Sequence, residues 1–279
     1  MKKMLKLGLV MLTILALMLV AVGCGGGEKP DAEEQQAGDN AQAKEKIVAS
    51  FEPTFAPFES TDENGDFVGF DIDLIKAIGE VEGLEVELKS LGFDGLIPAL
   101  QTGQIDVAIS GMTIKPEREE QVDFSMPYYE AGLVIAVAEG NNDIVKPEDL
   151  AGKTIAVQIG TTGADTANEI AAQYGATVKT YNTTDLVFME LVNGGAQAVI
   201  NDLPVTQNFI DKKGAGQVKM VGDVLNGEYY GIAVAKGNTE LLEKINNGLN
   251  TLKENGKYAE IYEKWFNVTP PDYLPGEVK

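Results

Sequence analysis

The stretch Leu96–Tyr129, LIPALQTGQIDVAISGMTIKPEREEQVDFSMPYY, decides the fold class and the candidate site of this chain. Within it, Ile105–Ile109 is mostly apolar and rich in β-branched residues, which is typical of a buried strand. That strand leads into Ser110–Thr113, where small residues let backbone N–H groups approach an anion. Arg118 follows shortly after, and its planar guanidinium matches a carboxylate in two parallel hydrogen bonds. The stretch therefore predicts a carboxylate site, although an ordinary strand-to-turn connection with a surface arginine has the same spacing.

Outward from this stretch, strand and helix patterns alternate along the chain, which is the order expected of a parallel α/β sheet. A helix starting near Asp71 or Asp73 carries a predicted core-facing stripe at Leu74, Ala77, Ile78 and Val81. The other predicted strands are Ile47–Phe51, Val86–Lys89, Leu133–Ala138, Thr154–Val157, Val178–Tyr181, Ala198–Ile200 and Tyr229–Ala235. Helices are predicted at about 164–174, 184–193, 241–252 and 258–266.

Composition excludes several kinds of function. The 279-residue chain has a formal net charge of −21, which disfavours nucleic acid and anionic membrane surfaces as partners. It contains no histidine, which removes Ser-His-Asp and Cys-His nucleophile arrangements and any metal site that uses histidine. Its single cysteine cannot form an internal disulfide. We expect no metal, no cofactor and a monomeric protein.

The N-terminal residues 1–23 resemble a lipoprotein signal peptide. Lysines precede an apolar run from Leu7 to Val22, and small residues stand directly before Cys24. We expect cleavage before Cys24 and lipid on its sulfur, which anchors the chain outside the cytoplasm without spanning the membrane. Residues 24–44 follow as a flexible acidic tether with almost no large apolar side chain.

Several blocks occur together in a characteristic order between Ile47 and Phe266. They are GFDIDL (69–74), GLIPAL (95–100), GMTIKPER (111–118), VDFSMPYY (122–129), NGKY (255–258) and YEKWF (262–266). In this combination the chain resembles the family 3 extracellular solute-binding proteins, the amino-acid receptors of ABC importers. Its glutamine-binding and basic-amino-acid-binding members are the most similar.

The resemblance implies a type II periplasmic-binding-protein fold, with two α/β lobes joined by two hinge strands. Lobe 1 would comprise residues 45–129 and 231–279, and lobe 2 residues 132–228. A free amino acid would bind between the lobes, and their closure by hinge motion would present the protein to an ABC permease in the membrane.

The resemblance also implies roles for individual residues. Arg118 would bind the α-carboxylate, with the backbone N–H groups of Thr113 and Thr162, and Asp202 the α-ammonium, with acceptors at Ser110 and Gly111. Phe55 and Phe93 would sandwich the ligand's side chain, which for a guanidinium adds cation–π attraction. Together with three residues that face the distal end of the ligand, the expected ligand-binding set is Glu52, Phe55, Phe93, Ser110, Gly111, Thr113, Arg118, Gln158, Thr162, Asn201 and Asp202.

Specificity is expected to depend on Glu52, Gln158 and Asn201. The glutamine-binding pattern carries a lysine at the position of Gln158 and a histidine at the position of Asn201, and both are neutral amides here. Because Glu52 is kept, the distal end of the pocket becomes net negative, and a buried carboxylate favours a cationic partner. We therefore expect arginine or lysine, with glutamine as the alternative.

Two other functions are compatible with the same fold. One is a secreted dehydratase-like enzyme, in which Glu52 acts as a general acid with a pKa raised by burial. The other is a sensor that signals through a partner instead of transporting.

Overall fold

The strands and helices of the chain are described here from a computed structural model that covers residues 44–271. The lipidation site at Cys24, the signal peptide and the tether up to residue 43 therefore lie outside the described residues, as does the end of the chain after residue 271. The strands are β1 (Glu45–Phe51), β2 (Thr54–Phe55), β3 (Glu59–Thr61), β4 (Phe67–Val68), β5 (Leu84–Ser90), β6 (Val107–Ala108), β7 (Val122–Phe124), β8 (Tyr129–Ala138), β9 (Thr154–Gln158), β10 (Thr177–Tyr181), β11 (Ala198–Asp202), β12 (Val218–Val221), β13 (Gly227–Tyr230) and β14 (Ala233–Ala235). The α-helices are α1 (Phe70–Glu82), α2 (Leu96–Gln101), α3 (Pro116–Glu119), α4 (Thr162–Tyr174), α5 (Thr184–Val192), α6 (Leu203–Lys212), α7 (Thr239–Glu254) and α8 (Lys257–Phe266).

The first lobe is built on a five-stranded sheet in the order β5-β1-β6-β14-β7. Strand β1 pairs in parallel with both β5 and β6, as the strand–helix alternation predicts. Strand β14 enters the sheet from far along the chain and runs antiparallel to β6 and β7. Helix α1 packs against β5 and against α7 and α8, so the apolar residues of several of its faces are buried.

The second lobe is built on another sheet, in the order β10-β9-β11-β8-β12. Strand β9 is parallel to β10 and β11, whereas β8 is antiparallel to β11 and β12. Two sheets of this kind in one chain confirm the α/β, two-lobed fold class.

The two stretches that the resemblance implies as hinges, near residues 129–132 and 228–232, lie side by side. The first four residues of β8 pair antiparallel with β13, so that Tyr129 lies opposite Tyr230 and Gly132 opposite Gly227. The rings of Tyr129 and Tyr230 stack at 5.7 Å, and Phe58 and Phe266 of the first lobe both pack on Tyr129 at 4.8 Å. The first-lobe end of this pair is thus held by an aromatic cluster. The lobe boundaries given above stay a prediction.

Two sequence predictions are wrong in detail. The stretch Tyr229–Ala235, predicted as one strand, is two strands, β13 and β14. The first pairs with β8, and the second pairs with β6 and β7. Between them, the amide of Gly231 donates to the Met112 carbonyl at 3.0 Å. Val81, predicted to face the core, is 41% exposed, since it lies in the last turn of α1.

Helix α6 and strand β12 were not predicted. Among residues 44–271, no helix is long and apolar enough to cross a membrane.

Candidate functional site

A narrow cavity lies between the two lobes. Its volume is about 10 Å³, enough for roughly one water molecule. The lining residues are Glu52, Phe55, Phe93, Ser110, Gly111, Thr113, Arg118, Gln158, Thr161, Thr162 and Asp202. Ten of the eleven predicted ligand-binding residues are therefore brought together here, and the lining adds Thr161, whose only sequence signal was its place in the Gly-Thr turn before α4.

Asn201 does not line the cavity. It precedes Asp202 in β11, and successive side chains of a strand point to opposite faces of the sheet, so the two cannot face the cavity together. Its side chain is buried, and Nδ2 lacks a hydrogen-bond partner among the described residues. The structure thus separates Asn201 from Glu52 and Gln158, with which it was expected to set specificity.

Arg118 is fixed at the wall of the cavity by the single turn of α3, which begins at Pro116. The side chain is 4% exposed, and it donates from Nη1 to the Thr113 carbonyl at 2.8 Å and from Nη2 to the Gly160 carbonyl at 3.0 Å. The guanidinium carbon also lies 5.3 Å from the centre of the Phe93 ring. Burial lowers the pKa of Arg118, but an arginine side chain stays protonated in proteins. A fixed cation therefore lies at this wall, with Phe93 stacked on it.

Asp202 comes from the other lobe, at the end of β11. Its Oδ1 accepts a hydrogen bond from the hydroxyl of Tyr230 at 2.6 Å. Burial, and then the charge of Glu228, raise the pKa of Asp202 to about 7. The ionised Asp202 carboxylate has little positive charge nearby to compensate it, so a cation that enters the cavity stabilises it.

Glu228 is a buried acid that the sequence reasoning missed. Its Oε2 accepts hydrogen bonds from Thr113 Oγ1 at 2.8 Å and from Thr162 Oγ1 at 3.0 Å. It does not line the cavity, but it holds two lining residues from different segments and adds negative charge behind them. Nothing in its local sequence, GEYYG, distinguishes it from a surface acid.

Glu52 connects the lobes at the far end of the cavity. Its Oε2 accepts hydrogen bonds from Thr54 Oγ1 at 2.7 Å and from Gln158 Nε2 at 3.2 Å. The amide oxygen of Gln158 in turn accepts from Thr184 Oγ1 at 3.0 Å. Burial raises the pKa of Glu52, since its hydrogen-bond donors are neutral. The distal end of the cavity therefore combines an acid with an amide and holds no basic residue.

The wall between these ends is formed by Ser110 and Gly111. Gly111 has a φ of +51°, and a Cβ there would lie 2.5 Å from the ring of Phe55 and 3.2 Å from that of Tyr230. Only glycine lets the backbone come so close to both rings. Phe55 thus packs over this wall, while Phe93 packs on Arg118, so both aromatics line the cavity at different places.

The lobes are in direct contact around the cavity. Besides the bonds of Arg118 and Gln158, an ion pair of 2.5 Å joins Lys115 to Asp165, and the Thr184 amide donates to Thr54 Oγ1 at 3.0 Å. The conformation is therefore a closed one, and its cavity is too small for a ligand larger than water. Among the described residues, no group of three or more histidine, cysteine, aspartate or glutamate side chains could hold a metal ion.

Comparison with known proteins identifies one family and several related binding proteins. The family described as "Bacterial extracellular solute-binding proteins, family 3" matches residues 47–268. The ABC transporter arginine-binding protein 1 of Escherichia coli (strain K12) is 37% identical over 232 residues, which cover 81% of this chain and 93% of that protein.

Solved structures agree in fold. An ancestral arginine-binding protein bound to arginine is 49% identical with a TM-score of 0.78, and covers 80% of this chain and 99% of its own. An ancestral arginine-binding protein bound to glutamine is also 49% identical, with a TM-score of 0.77 and coverage of 80% and 98%.

Proposed function

The chain belongs to the bacterial extracellular solute-binding proteins of family 3, and on this premise we propose that it is an amino-acid receptor of an ABC importer that binds arginine or lysine between its lobes. The observation that carries the proposal is that Arg118 and Asp202, which come from different lobes, line one closed cavity. A guanidinium and a carboxylate in the same cavity complement the two charges of an amino-acid backbone.

Binding requires Arg118 to exchange partners. In the closed, narrow cavity it donates to the Thr113 and Gly160 carbonyls. An α-carboxylate that enters while the lobes are open offers charged acceptors, which form stronger hydrogen bonds than neutral carbonyls. Asp202 offers the same advantage to the α-ammonium, because its present donor is the neutral hydroxyl of Tyr230.

The preference for a cationic side chain follows from the charges around the cavity. Glu52 and Asp202 are among the lining residues, and Glu228 accepts hydrogen bonds from two others, Thr113 and Thr162. Arg118 is the basic residue of the lining. The ligand's own carboxylate and ammonium use Arg118 and Asp202. This leaves Glu52 with neutral donors, so a guanidinium or ammonium at the distal end supplies its missing charge.

The expected setting is the outer side of the cell membrane, with lipid on Cys24 as the anchor. The closed lobes would then dock on the permease and release the amino acid to it. The basis for the anchor is the signal-like sequence of residues 1–23 followed by Cys24.

A calorimetric screen of the twenty amino acids tests the proposal. The protein is first unfolded, dialysed and refolded, because a bound amino acid can co-purify. We expect arginine or lysine to bind most tightly. Glutamine binding above both would reverse the assignment of the ligand, and no binding by any amino acid would reject the receptor.

A second candidate is a dehydratase-like enzyme in which Glu52 is the general acid. It is favoured by the raised pKa of this buried carboxyl inside a closed cavity. Incubation of the protein with hydroxylated cyclic carboxylic acids, followed by mass spectrometry, would show loss of water if this activity exists. Recovery of unchanged compounds is the result expected of a receptor.

A further inference from the structure

Two buried acids lie behind the wall of the cavity and are not among its lining residues. Glu59 in β3 and Asp71 in the first turn of α1 are both 0% exposed. They meet because the hairpin and the helix approach closely at Gly69, where φ is +144° and a Cβ would clash with the carbonyl of Phe58 at 1.9 Å. The amide of Asp71 donates to that same carbonyl at 2.9 Å.

Each acid holds one residue of the wall. Ser110 Oγ donates to Glu59 Oε1 at 2.7 Å and accepts from the Glu52 amide at 3.0 Å. The Gly111 amide donates to Asp71 Oδ2 at 2.9 Å, and the hydroxyl of Tyr128 donates to the same oxygen at 2.8 Å. The position of the wall therefore depends directly on the two carboxyl groups.

The remaining oxygen of each acid is unpaired. Glu59 Oε2 and Asp71 Oδ1 are buried and have no hydrogen-bond partner among the described residues. Two ionised carboxylates would leave two repelling charges and two buried acceptors without a donor. One proton between these oxygens removes the repulsion and gives both of them a partner.

The surroundings favour the proton on Glu59 and the charge on Asp71. Asp71 lies in the first turn of a 13-residue helix, where a negative charge is stabilised. Burial and then the charge of Asp71 raise the pKa of Glu59 well above its ordinary value, and burial raises the pKa of Asp71 to about 6. Glu52, Tyr128 and Tyr258 also act on the pair, and none of these three is a cation at neutral pH.

We propose that Glu59 and Asp71 share one buried proton at neutral pH, and that this protonated pair is a positioning element that fixes Ser110 and Gly111 in the wall of the cavity. The shared proton does not depend on the proposed function. Its effect on ligand affinity does rest on that function.

Infrared spectroscopy tests the protonation directly. The infrared difference spectrum between the wild type and Glu59→Gln at pH 7 should show the loss of one carboxylic-acid carbonyl band. In the variant, the introduced side-chain amide donates to Asp71 in place of the protonated Glu59 carboxyl. Loss of a carboxylate band instead would overturn the proposal. If the variant does not fold, ¹³C NMR of the wild type replaces this measurement, and a Glu59 carboxyl shift that is already that of a carboxylate at pH 7 has the same consequence.

The pH profile of stability is the second readout. A carboxyl whose pKa is raised in the folded state stabilises the protein fully below its unfolded pKa, near 4.5, and loses this effect as pH rises toward the folded value. From pH 5 to 8, the unfolding constant of the wild type should therefore rise relative to that of Glu59→Gln, by up to about tenfold per pH unit. Glu63→Gln, which removes an exposed acid, should follow the wild type. Parallel profiles for the wild type and Glu59→Gln would refute the shared proton.

Ligand affinity separates positioning from stability alone. Glu59→Gln keeps a donor toward Asp71 and an acceptor for Ser110, so its dissociation constant should stay within about threefold of the wild type, whereas Glu59→Leu should weaken binding at least about tenfold. Equal affinities of these two variants would refute the positioning role. Absence of amino-acid binding in the wild type would reject the proposed function, while the infrared result would still decide the shared proton.

Discussion

Replacement of Arg118 by alanine is the sharpest perturbation of the candidate site. The side chain is 4% exposed and its two terminal nitrogens bond to carbonyls at 2.8 and 3.0 Å, one from each side of the cavity. Truncation removes the cation that would bind the ligand's carboxylate, and Asp202 and Glu228 lose a compensating positive charge. Loss of one partner of a buried charge pair costs about 2–5 kcal/mol of binding free energy. The dissociation constant for arginine should rise roughly 30-fold to several thousand-fold.

The assay is calorimetric titration of refolded, ligand-free protein with arginine, with thermal unfolding to verify that each variant is folded. Lys115→Ala is the matched control, because Lys115 is also a cation at the edge of the cleft, but its ion pair with Asp165 has side chains that are 25% and 53% exposed. Such pairs contribute about 0.2–1 kcal/mol, so its effect should stay below about sixfold. Arg118→Lys should lie between them, since it keeps the charge and loses the two-pronged geometry.

Two results would refute this reasoning. A folded Arg118→Ala protein that binds arginine within about threefold of the wild type would remove Arg118 from the ligand. Equal losses in Arg118→Ala and Lys115→Ala would mean that the general field of the cleft, and not a specific contact, is responsible.

Three further predictions concern other parts of the site. Glu52→Gln should weaken arginine binding roughly 10- to 150-fold, because it loses one charge-assisted contact, and should change glutamine binding far less. Calorimetric titration with both ligands checks this prediction. Equal losses of affinity for the two ligands would show that Glu52 does not select a cation. Asp202 has a pKa raised to about 7, so it gains a proton as pH falls below that value. Arginine affinity should therefore decrease by about tenfold per pH unit from pH 7 to 5. The same decrease in Asp202→Asn would mean that another group causes the pH dependence. Gly111→Ala should destabilise the protein by about 1–3 kcal/mol, because it adds a Cβ at a φ of +51° that meets Phe55 at 2.5 Å. Gly103→Ala is the control, because Gly103 has a φ of +67° but open space where a Cβ would be added. Comparing the thermal unfolding of the two variants separates the effect of backbone strain from that of the steric clash. Identical melting temperatures would exclude a destabilising clash at Gly111.

Local sequence was sufficient where a segment's own pattern determines its structure. The β-branched run at Thr154–Val157 and the apolar stripe of α7 are each visible without any tertiary information. Helix α6 was not predicted, and among its residues only Val205 and Thr206 are buried. Strand β14 was merged with β13, since nothing local marks the exchange of pairing partners between them.

The sequence predicted which residues form the site better than it predicted what those residues contact. The resemblance to the family pointed to ten residues that line the cavity, but not to the contacts that Arg118 makes with two carbonyls and Phe93. Asn201 was included because the glutamine-binding pattern carries a histidine at its position, although the alternation of side chains along β11 turns it away from the cavity.

The sequence by itself determined the α/β alternation, because strand and helix periodicity is a property of the chain. Its motif blocks carried the resemblance to the family, and that resemblance implied most residues around the cavity. Only the tertiary structure decided which acids are buried and what lies beside them. Glu228 contacts Thr113 across more than a hundred residues of sequence, and Glu59 and Asp71 are brought behind Ser110 and Gly111 by a hairpin packed on a helix. Burial and charge neighbours set the protonation of such groups, and both are consequences of folding that no local pattern records.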